Sequence, residues 1–254
     1  MSLILIMGIP ASGKSTFRRK MMANSAPNLI FSTSFDEFRE NLKRALLRSN
    51  LALSYSSLPN ARETRKAFQC HVESELSRTT RPIWLIEDIF YLQSMRRAFQ
   101  KMAKRRGFQF GVVLLKADVD EAIQRNLKRK EGIQTEETIR KVFEALEEPV
   151  EVENSVVLED SDDVNDIGDL LKILKLQMAP VPAPKSSESP ESPPEASHLE
   201  FLDVITRRLV SDVIKTGGFD GKKLSEARKR LLLNSRHLQN LPDVSQLIDI
   251  YNTL

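Results

Sequence analysis

GIPASGKST, residues 8–16, is the stretch of sequence that decides the fold of this chain. It fits the pattern G-x-x-x-x-G-K-[S/T], a loop that holds phosphate groups with its backbone. The apolar run Leu3–Met7 before it predicts a buried parallel strand, and Thr16–Ala23 predicts a helix. A strand, a glycine-rich loop and a helix in this order direct backbone N–H groups at an anion.

The side chains of this loop predict a site for ATP and magnesium. Lys14 is expected to bridge the outer phosphates, and the Ser15 hydroxyl is expected to ligate Mg²⁺. The remaining expected ATP contacts are Gly8, Ile9, Pro10, Ala11, Ser12, Gly13 and Thr16. The alternative is an ordinary glycine-rich turn in front of a helix.

Composition limits the class of protein. The chain has 254 residues, 41% of them hydrophobic and 29% charged, which is typical of a globular protein. No apolar run approaches the roughly 20 residues of a membrane helix, so no membrane partner is expected. Cys70 is the single cysteine, which excludes an internal disulfide and favours a reducing compartment. Because the chain opens directly on an apolar strand pattern, we expect a cytoplasmic protein.

Strand-like and helix-like segments alternate along most of the chain. The apolar runs that predict strands are residues 3–7, 28–33, 82–86, 108–115 and 155–158. Helical spacing is found at residues 16–23, 36–48, 61–78, 91–105, 118–130, 136–146 and 164–176. This alternation predicts an α/β fold of the phosphate-loop NTPase type, with a mostly parallel five-stranded sheet and helices on both faces.

A change of composition predicts three parts. Residues 1–177 form the expected phosphate-loop domain, and residues 178–197, rich in Pro, Ser and Glu, predict a disordered linker. Residues 198–254 predict a small helical module, with helices near 199–215, 222–233 and 244–251.

Carboxylates follow two of the predicted strands, at the sheet edge where ligands bind in open α/β folds. Asp36 is expected to accept a proton from a substrate hydroxyl or to hold Mg²⁺, with Arg39 on the same side of the helix. The alternative is that Asp36 only stabilises a helix N-terminus. Glu87 and Asp88 end another strand. Asp88 is taken as the metal-side carboxylate, but strand register leaves the choice between the two open.

Two arginines four residues apart, Arg125 and Arg129, are predicted to lie on one helix face. Their planar guanidinium groups suit phosphate oxygens, and Gly132 beyond them marks a point where a lid could hinge. A solvated basic face is an equally valid interpretation of the spacing.

Basic residues outnumber acidic ones in the C-terminal module, which suits a phosphate backbone. The candidate nucleic-acid contacts are Arg207, Arg208, Lys222, Lys223 and Arg228.

Several segments in order resemble the phosphoseryl-tRNA kinase family. These are GIPASGKSTF (8–17), FDEFR (35–39), IEDIFYLQSMRR (86–97) and RNLKR (125–129). The Ser-Met-Arg stretch and the Arg-x-x-x-Arg motif are more specific than the phosphate loop. The clear resemblance covers residues 1–160, and a fainter one lies near Ile205–Lys215. Glu87-Asp88-Ile89 departs from the family's Asp-Asp-Asn run, and Tyr91-Leu92 departs from its paired tyrosines.

The resemblance implies a kinase that uses ATP and Mg²⁺ to phosphorylate serine esterified to selenocysteine tRNA. It implies that Asp36 serves the seryl hydroxyl, that Arg39, Arg125 and Arg129 contact phosphate or the transition state, and that the helical module binds the tRNA. The oligomeric state is open, and a homodimer is one option.

Three other functions compete with this interpretation. A related phosphate-loop ATPase of tRNA wobble modification, which works with elongator, shares the loop and a tRNA-binding tail. A small-molecule kinase has no need of a basic tail on a tether. A nucleotide-gated binding module would transfer no phosphate.

Overall fold

The computed structural model describes most of the first 177 residues and parts of the C-terminal region. The described residues are 1–26, 28–48, 61–78, 81–130, 132–150, 153–159, 164–177, 203, 206–207, 210–211, 213–214, 217–234 and 244–254. The predicted linker, residues 178–197, and Arg208 lie outside them.

A parallel five-stranded sheet organises the fold. Its strands are β1 (Ser2–Met7), β2 (Ile30–Ser34), β3 (Ile83–Glu87), β4 (Gln109–Leu115) and β5 (Ser155–Leu158). They lie in the order β2-β3-β1-β4-β5, and every pairing is parallel. The predicted α/β fold of the phosphate-loop type is therefore confirmed.

Nine helices are present in the described part of the chain. They are α1 (Lys14–Ala23), α2 (Phe35–Arg48), α3 (Ala61–Arg78), α4 (Gln93–Arg105), α5 (Val119–Leu127), α6 (Glu136–Glu144), α7 (Ile167–Ile173), α8 (Gly221–Asn234) and α9 (Val244–Thr253). Side-chain caps fix where three of them begin, because Asp118, Thr135 and Asp166 each accept hydrogen bonds from N–H groups of the first turn of α5, α6 and α7.

The sheet is buried on both faces, which explains why its central strand is apolar from Leu3 to Met7. Ile4 and Ile6 of β1 belong to a core cluster with Met21 of α1 and Leu170 of α7. On the other side α4 packs on β1 and β4, and it buries Phe99 among others. Alternate residues of one strand therefore serve two different helix layers.

The chain divides into two compact units. The first comprises Met1–Phe35 and Thr80–Ser186, and the second comprises Asp36–Thr79 and Ser187–Leu254. The first unit contains all five strands. Helices α2 and α3 lie within the predicted phosphate-loop domain, residues 1–177, and they cluster here with residues 187–254. The proposed three-part division at residues 178–197 stays a prediction, since those residues are outside the described ranges.

The second unit has apolar packing of its own. The Phe38 ring of α2 lies 5.4 Å from Phe68 and 5.1 Å from His71 of α3, between ring centroids. In the C-terminal part, Leu224 of α8 and Leu247 of α9 belong to one buried cluster. The predicted helices at 222–233 and 244–251 are thus confirmed as a packed pair. Of the described helices, none has the length and apolar character that crossing a membrane requires.

Candidate phosphate-binding site

The loop between β1 and α1 requires glycine at both motif positions. Gly8 has φ +149°, and a Cβ there would come within 2.6 Å of the carbonyl oxygen of Leu115. Gly13 has φ +94° and precedes the first residue of α1 in the left-handed region. A side chain at either position would be strained or would clash, so both glycines are needed for the path of the loop.

Apolar side chains anchor the loop from outside. Ile9 and Ala11 are buried in a cluster with Ile123 of α5 and Ile139 of α6. Two of the four variable positions of the motif thus serve packing. They hold the loop backbone in place on the α5–α6 pair.

Lys14 and Ser12 give the loop the polar groups that an anion needs. The Lys14 Nζ donates to the carbonyl oxygens of Gly8 at 2.9 Å and Ile9 at 2.6 Å, and the side chain is buried. The Ser12 Oγ is buried, and within the described part of the chain it is the one buried side-chain oxygen or nitrogen that lacks a hydrogen-bond partner. Buried hydroxyls are normally satisfied, so this orphaned group fits a loop shaped to receive phosphate oxygens.

The carboxylate that reaches Ser15 is that of Glu87. Ser15 Oγ donates to Glu87 Oε1 at 2.5 Å, across the gap between α1 and the end of β3. Arg18 of α1 donates from Nε to Glu87 Oε2 at 2.7 Å and from a terminal nitrogen to Ser32 at 2.9 Å. A hydroxyl and a carboxylate lie side by side where the phosphate loop runs into α1. These are the kinds of group that hold Mg²⁺ beside a nucleotide.

Asp88 lies next to this pair but is used differently. Its Oδ1 accepts a hydrogen bond from the Ile89 N–H at 2.7 Å, and its own N–H donates to Ile6 at 3.3 Å. Its side chain is buried. The assignment of Asp88 as the metal-side carboxylate stays a prediction, whereas Glu87 is the acid that the fold brings onto Ser15.

The Asp36 and Arg39 pair begins helix α2. The Asp36 carboxylate is 3.4 Å from an Arg39 terminal nitrogen, and the Asp36 side chain is 81% exposed. Both residues belong to the second compact unit. Asp36 follows β2 by two residues, as expected, and the catalytic roles of the pair stay predictions.

Arg125 and Arg129 do not share a helix face, and that part of the interpretation is wrong. Helix α5 ends at Leu127, so Arg129 lies in the connection that follows. Arg125 is on the helix and pairs with Glu121 at 2.9 Å. The helix ends early because the buried Asn126 side chain bonds the backbone of Gln134. The phosphate-contacting roles of both arginines stay predictions.

Arg96, from the Ser-Met-Arg stretch, is a buried structural residue that the sequence analysis did not single out. Its guanidinium contacts both carboxylate oxygens of Glu153, at 3.0 and 3.3 Å. It also donates to the carbonyl oxygens of Phe90 at 3.0 Å, Glu147 at 3.0 Å and Glu148 at 3.2 Å. It therefore ties the end of β3 to the segment that leads into β5. An arginine in an otherwise apolar helix stripe was the available signal.

The predicted nucleic-acid contacts of the C-terminal part differ in their surroundings. Arg228 and Arg207 both pair with Asp203, at 2.5 and 2.8 Å. Lys223 Nζ lies 4.5 Å above the Tyr251 ring, and Lys222 is exposed. The C-terminal part thus presents paired cations, Arg207 and Arg228, beside the exposed Lys222. The role of these residues in nucleic-acid binding stays a prediction.

Comparison with known proteins matches the chain to one protein family and to one kinase of known name. The family described as chromatin associated protein KTI12 matches residues 1–248. The L-seryl-tRNA(Sec) kinase of Methanococcus maripaludis is 25% identical over 254 residues, which cover 94% of this chain and 91% of the relative.

Two solved structures were found to be similar to part of the chain. Kti12 of Chaetomium thermophilum, in complex with ADP-AlF3, is 16% identical and covers 68% of this chain and 95% of its own, with a TM-score of 0.47. A gluconokinase from Sinorhizobium meliloti is 17% identical and covers 68% and 91%, with a TM-score of 0.44. The resemblance to the phosphoseryl-tRNA kinases is confirmed by the match to the Methanococcus protein, and the chain belongs to the KTI12 family.

Proposed function

We propose that this protein is an ATP-dependent kinase that phosphorylates the seryl group of seryl-tRNA(Sec) and gives O-phosphoseryl-tRNA(Sec), an intermediate of selenocysteine synthesis. The observation that carries the acceptor is the match to an L-seryl-tRNA(Sec) kinase, which extends over 94% of the chain. The phosphate loop supports the reaction type, because its glycines, Lys14 and the Ser15–Glu87 pair suit a nucleotide with Mg²⁺.

In this proposal the residues of the first unit bind and orient the nucleotide. The loop backbone and Lys14 hold the outer phosphates, and Ser12 donates its unused hydroxyl to a phosphate oxygen. Ser15 and Glu87 hold Mg²⁺, which neutralises charge on the transferred group when it is bound. Arg125 and Arg129 bind phosphate oxygens, as the resemblance of their motif implies.

Asp36 accepts the proton of the seryl hydroxyl as the new oxygen–phosphorus bond forms and the bond to the ADP oxygen breaks. Arg39, its ion-pair partner, contacts the transferred phosphate. The resemblance of residues 35–39 to the family's Asp-x-x-Arg segment supports these two roles. A single seryl hydroxyl offers little to bind, so contacts with the tRNA body must orient it. The helices α8 and α9 supply those contacts in this proposal, with Lys222 as an exposed cation.

A second candidate function is favoured by the description of the matching family. That family takes its name from KTI12, and the related ATPase of tRNA wobble modification hydrolyses ATP without phosphorylating serine. Both candidates need the same phosphate loop, so the fate of the γ-phosphate separates them.

The proposed reaction is tested with γ-labelled ATP and tRNA(Sec) charged with serine. We expect label on the seryl group, released as phosphoserine after the ester is hydrolysed. Ordinary serine tRNA charged with serine is the matched control and should accept much less label. If label appears only as free phosphate with either tRNA, the kinase proposal is wrong and the ATPase function is supported instead.

Glu87→Gln is expected to raise the Mg²⁺ concentration for half-maximal activity about tenfold or more. Glu87 bonds the expected ligand Ser15, and loss of a group that orients a metal ligand lowers metal affinity by about that much. The affinity for ADP with and without Mg²⁺ is measured in parallel, since it does not depend on turnover. Glu87→Asp should restore part of the Mg²⁺ effect, and Glu144→Gln on the exposed end of α6 should change nothing. A larger shift from Asp88→Asn than from Glu87→Gln would assign the metal to Asp88.

A further inference from the structure

The connection between α5 and α6 is closed by one buried side chain. Asn126, at the end of α5, donates from Nδ2 to the Gln134 carbonyl oxygen at 2.7 Å and accepts at Oδ1 from the Gln134 N–H at 3.0 Å. It is fully buried. These reciprocal bonds join the two ends of the connection, and Gly132 adopts φ +67° within it. The described residues between Asn126 and Gln134 are therefore held in place at both ends of the connection.

Three consecutive cations, Lys128, Arg129 and Lys130, lie on this connection, and we name them the basic loop. All three side chains are exposed, and in the ranges described here none of them makes a hydrogen bond or an ion pair. Two other exposed lysines of the first unit do form ion pairs, Lys141 with Glu137 at 2.6 Å and Lys172 with Asp169 at 3.1 Å. Adjacent like charges repel one another, so an anionic partner would relieve this arrangement.

Two large apolar side chains flank the basic loop. Leu127 is 63% exposed and Ile133 is 54% exposed. Leu127 follows Asn126 and Ile133 precedes Gln134, so the two side chains lie at the ends of the connection that the Asn126–Gln134 hydrogen bonds hold together. An apolar pair beside cations suits a partner that presents both phosphates and flat faces for stacking, as the backbone and the bases of RNA do.

The base of this loop is continuous with the candidate site. The helices α5 and α6 that carry it bury Ile123 and Ile139 against Ile9 and Ala11 of the phosphate loop. The two helices that carry the basic loop and the phosphate loop therefore share one packed cluster of apolar side chains.

We propose that Lys128 and Lys130 of the basic loop bind the phosphate backbone of the tRNA substrate, which gives the first unit an RNA contact of its own. This inference rests on the proposed function, because the tRNA is the anion that the reaction brings to the protein. Lys14 and the loop around it already serve the nucleotide phosphates. Lys128 and Lys130, on either side of Arg129, have no role in nucleotide binding in this proposal and are available to bind a larger polyanion.

The test compares tRNA binding by the full chain and by the double variant Lys128→Gln/Lys130→Gln. Uncharged tRNA(Sec) is titrated by fluorescence anisotropy between about 50 and 300 mM KCl. We expect about tenfold weaker binding near 0.1 M salt and a salt slope smaller by about 1.5, since each lost phosphate contact removes roughly 0.7–0.9 from it. The control is Lys101→Gln/Lys104→Gln on α4, where both lysines are also exposed, and it should leave the affinity and the slope unchanged.

Four results would overturn this inference. One is an unchanged salt slope in the Lys128→Gln/Lys130→Gln variant, and another is an equal loss in the α4 control. The third is weaker ATP binding by the variant with normal tRNA binding, which would assign the two lysines to nucleotide binding. Polyglutamate that binds the protein as tightly as tRNA, and loses the same affinity in the variant, would assign the loop to an acidic protein instead.

The two proposals fail separately. The binding assay uses no ATP and no serine, so it can succeed while the labelled-ATP assay gives only free phosphate. In that case the loop binds RNA but the protein is not a seryl-tRNA kinase. If labelled phosphoserine forms but the Lys128→Gln/Lys130→Gln variant binds tRNA as the unchanged protein does, the proposed function stands. Only the RNA contact of the basic loop is then ruled out.

Discussion

Lys14→Ala is expected to lower ATP-dependent turnover about a thousandfold. Loss of one positively charged contact to a transferring phosphoryl group has an effect of about that size. The Lys14 ammonium group is buried and donates to the carbonyl oxygens of Gly8 and Ile9. The same nitrogen is therefore held at the loop before phosphate arrives. Removal of the charge should raise the dissociation constant for ATP and slow the chemical step together.

The matched control for this prediction is Lys20→Ala, on the last turn of the same helix α1. It removes an equal charge at the opposite end of the helix from the loop and should keep near-normal turnover. Thermal unfolding of both variants checks that the fold is intact. Turnover by Lys14→Ala within tenfold of the unchanged protein would contradict the assignment of this loop as the nucleotide site.

Arg96→Ala is expected to destabilise the first unit by about 3–5 kcal/mol, because it leaves the Glu153 carboxylate buried without its cation. Three backbone carbonyl oxygens lose a donor as well. The side chain has no exposed surface, so water cannot replace these bonds without opening the structure.

Urea unfolding followed by tryptophan fluorescence measures this loss. Trp84 is the single tryptophan, and it lies fully buried in β3 of the same unit. The neighbouring Arg97→Ala, on the exposed side of α4, is the control and should change the free energy of unfolding by less than about 1 kcal/mol.

The double variant Arg96→Met/Glu153→Leu separates charge from packing. It removes both ions and keeps apolar volume, so it should be less destabilised than Arg96→Ala alone. An Arg96→Ala variant as stable as Arg97→Ala would contradict the structural role of Arg96.

Local patterns were sufficient for the architecture. The strand runs, the phosphate loop and most helix bounds follow from neighbouring residues, since periodicity and turn chemistry act over a few positions. The end of α5 was missed, because the predicted helix to Lys130 has no local breaker before Gly132. Its true end depends on Asn126, which bonds a residue eight positions further along.

The choice between Glu87 and Asp88 was open for a related reason. Successive residues of a strand point to opposite faces, and the sequence does not state which face meets α1. The structure places Glu87 against Ser15 and Arg18, whereas Asp88 bonds the following backbone N–H.

The sequence by itself therefore determined the phosphate loop, the parallel sheet and the family resemblance, because each is encoded in short contiguous segments. Only the tertiary structure decided which acid meets Ser15 and that Arg96 is a buried tie. It also decided that no described residue neutralises the side chains of Lys128, Arg129 and Lys130. Those outcomes depend on contacts such as Arg96–Glu153, between residues 57 positions apart. Such pairs form only after the sheet has brought distant segments together.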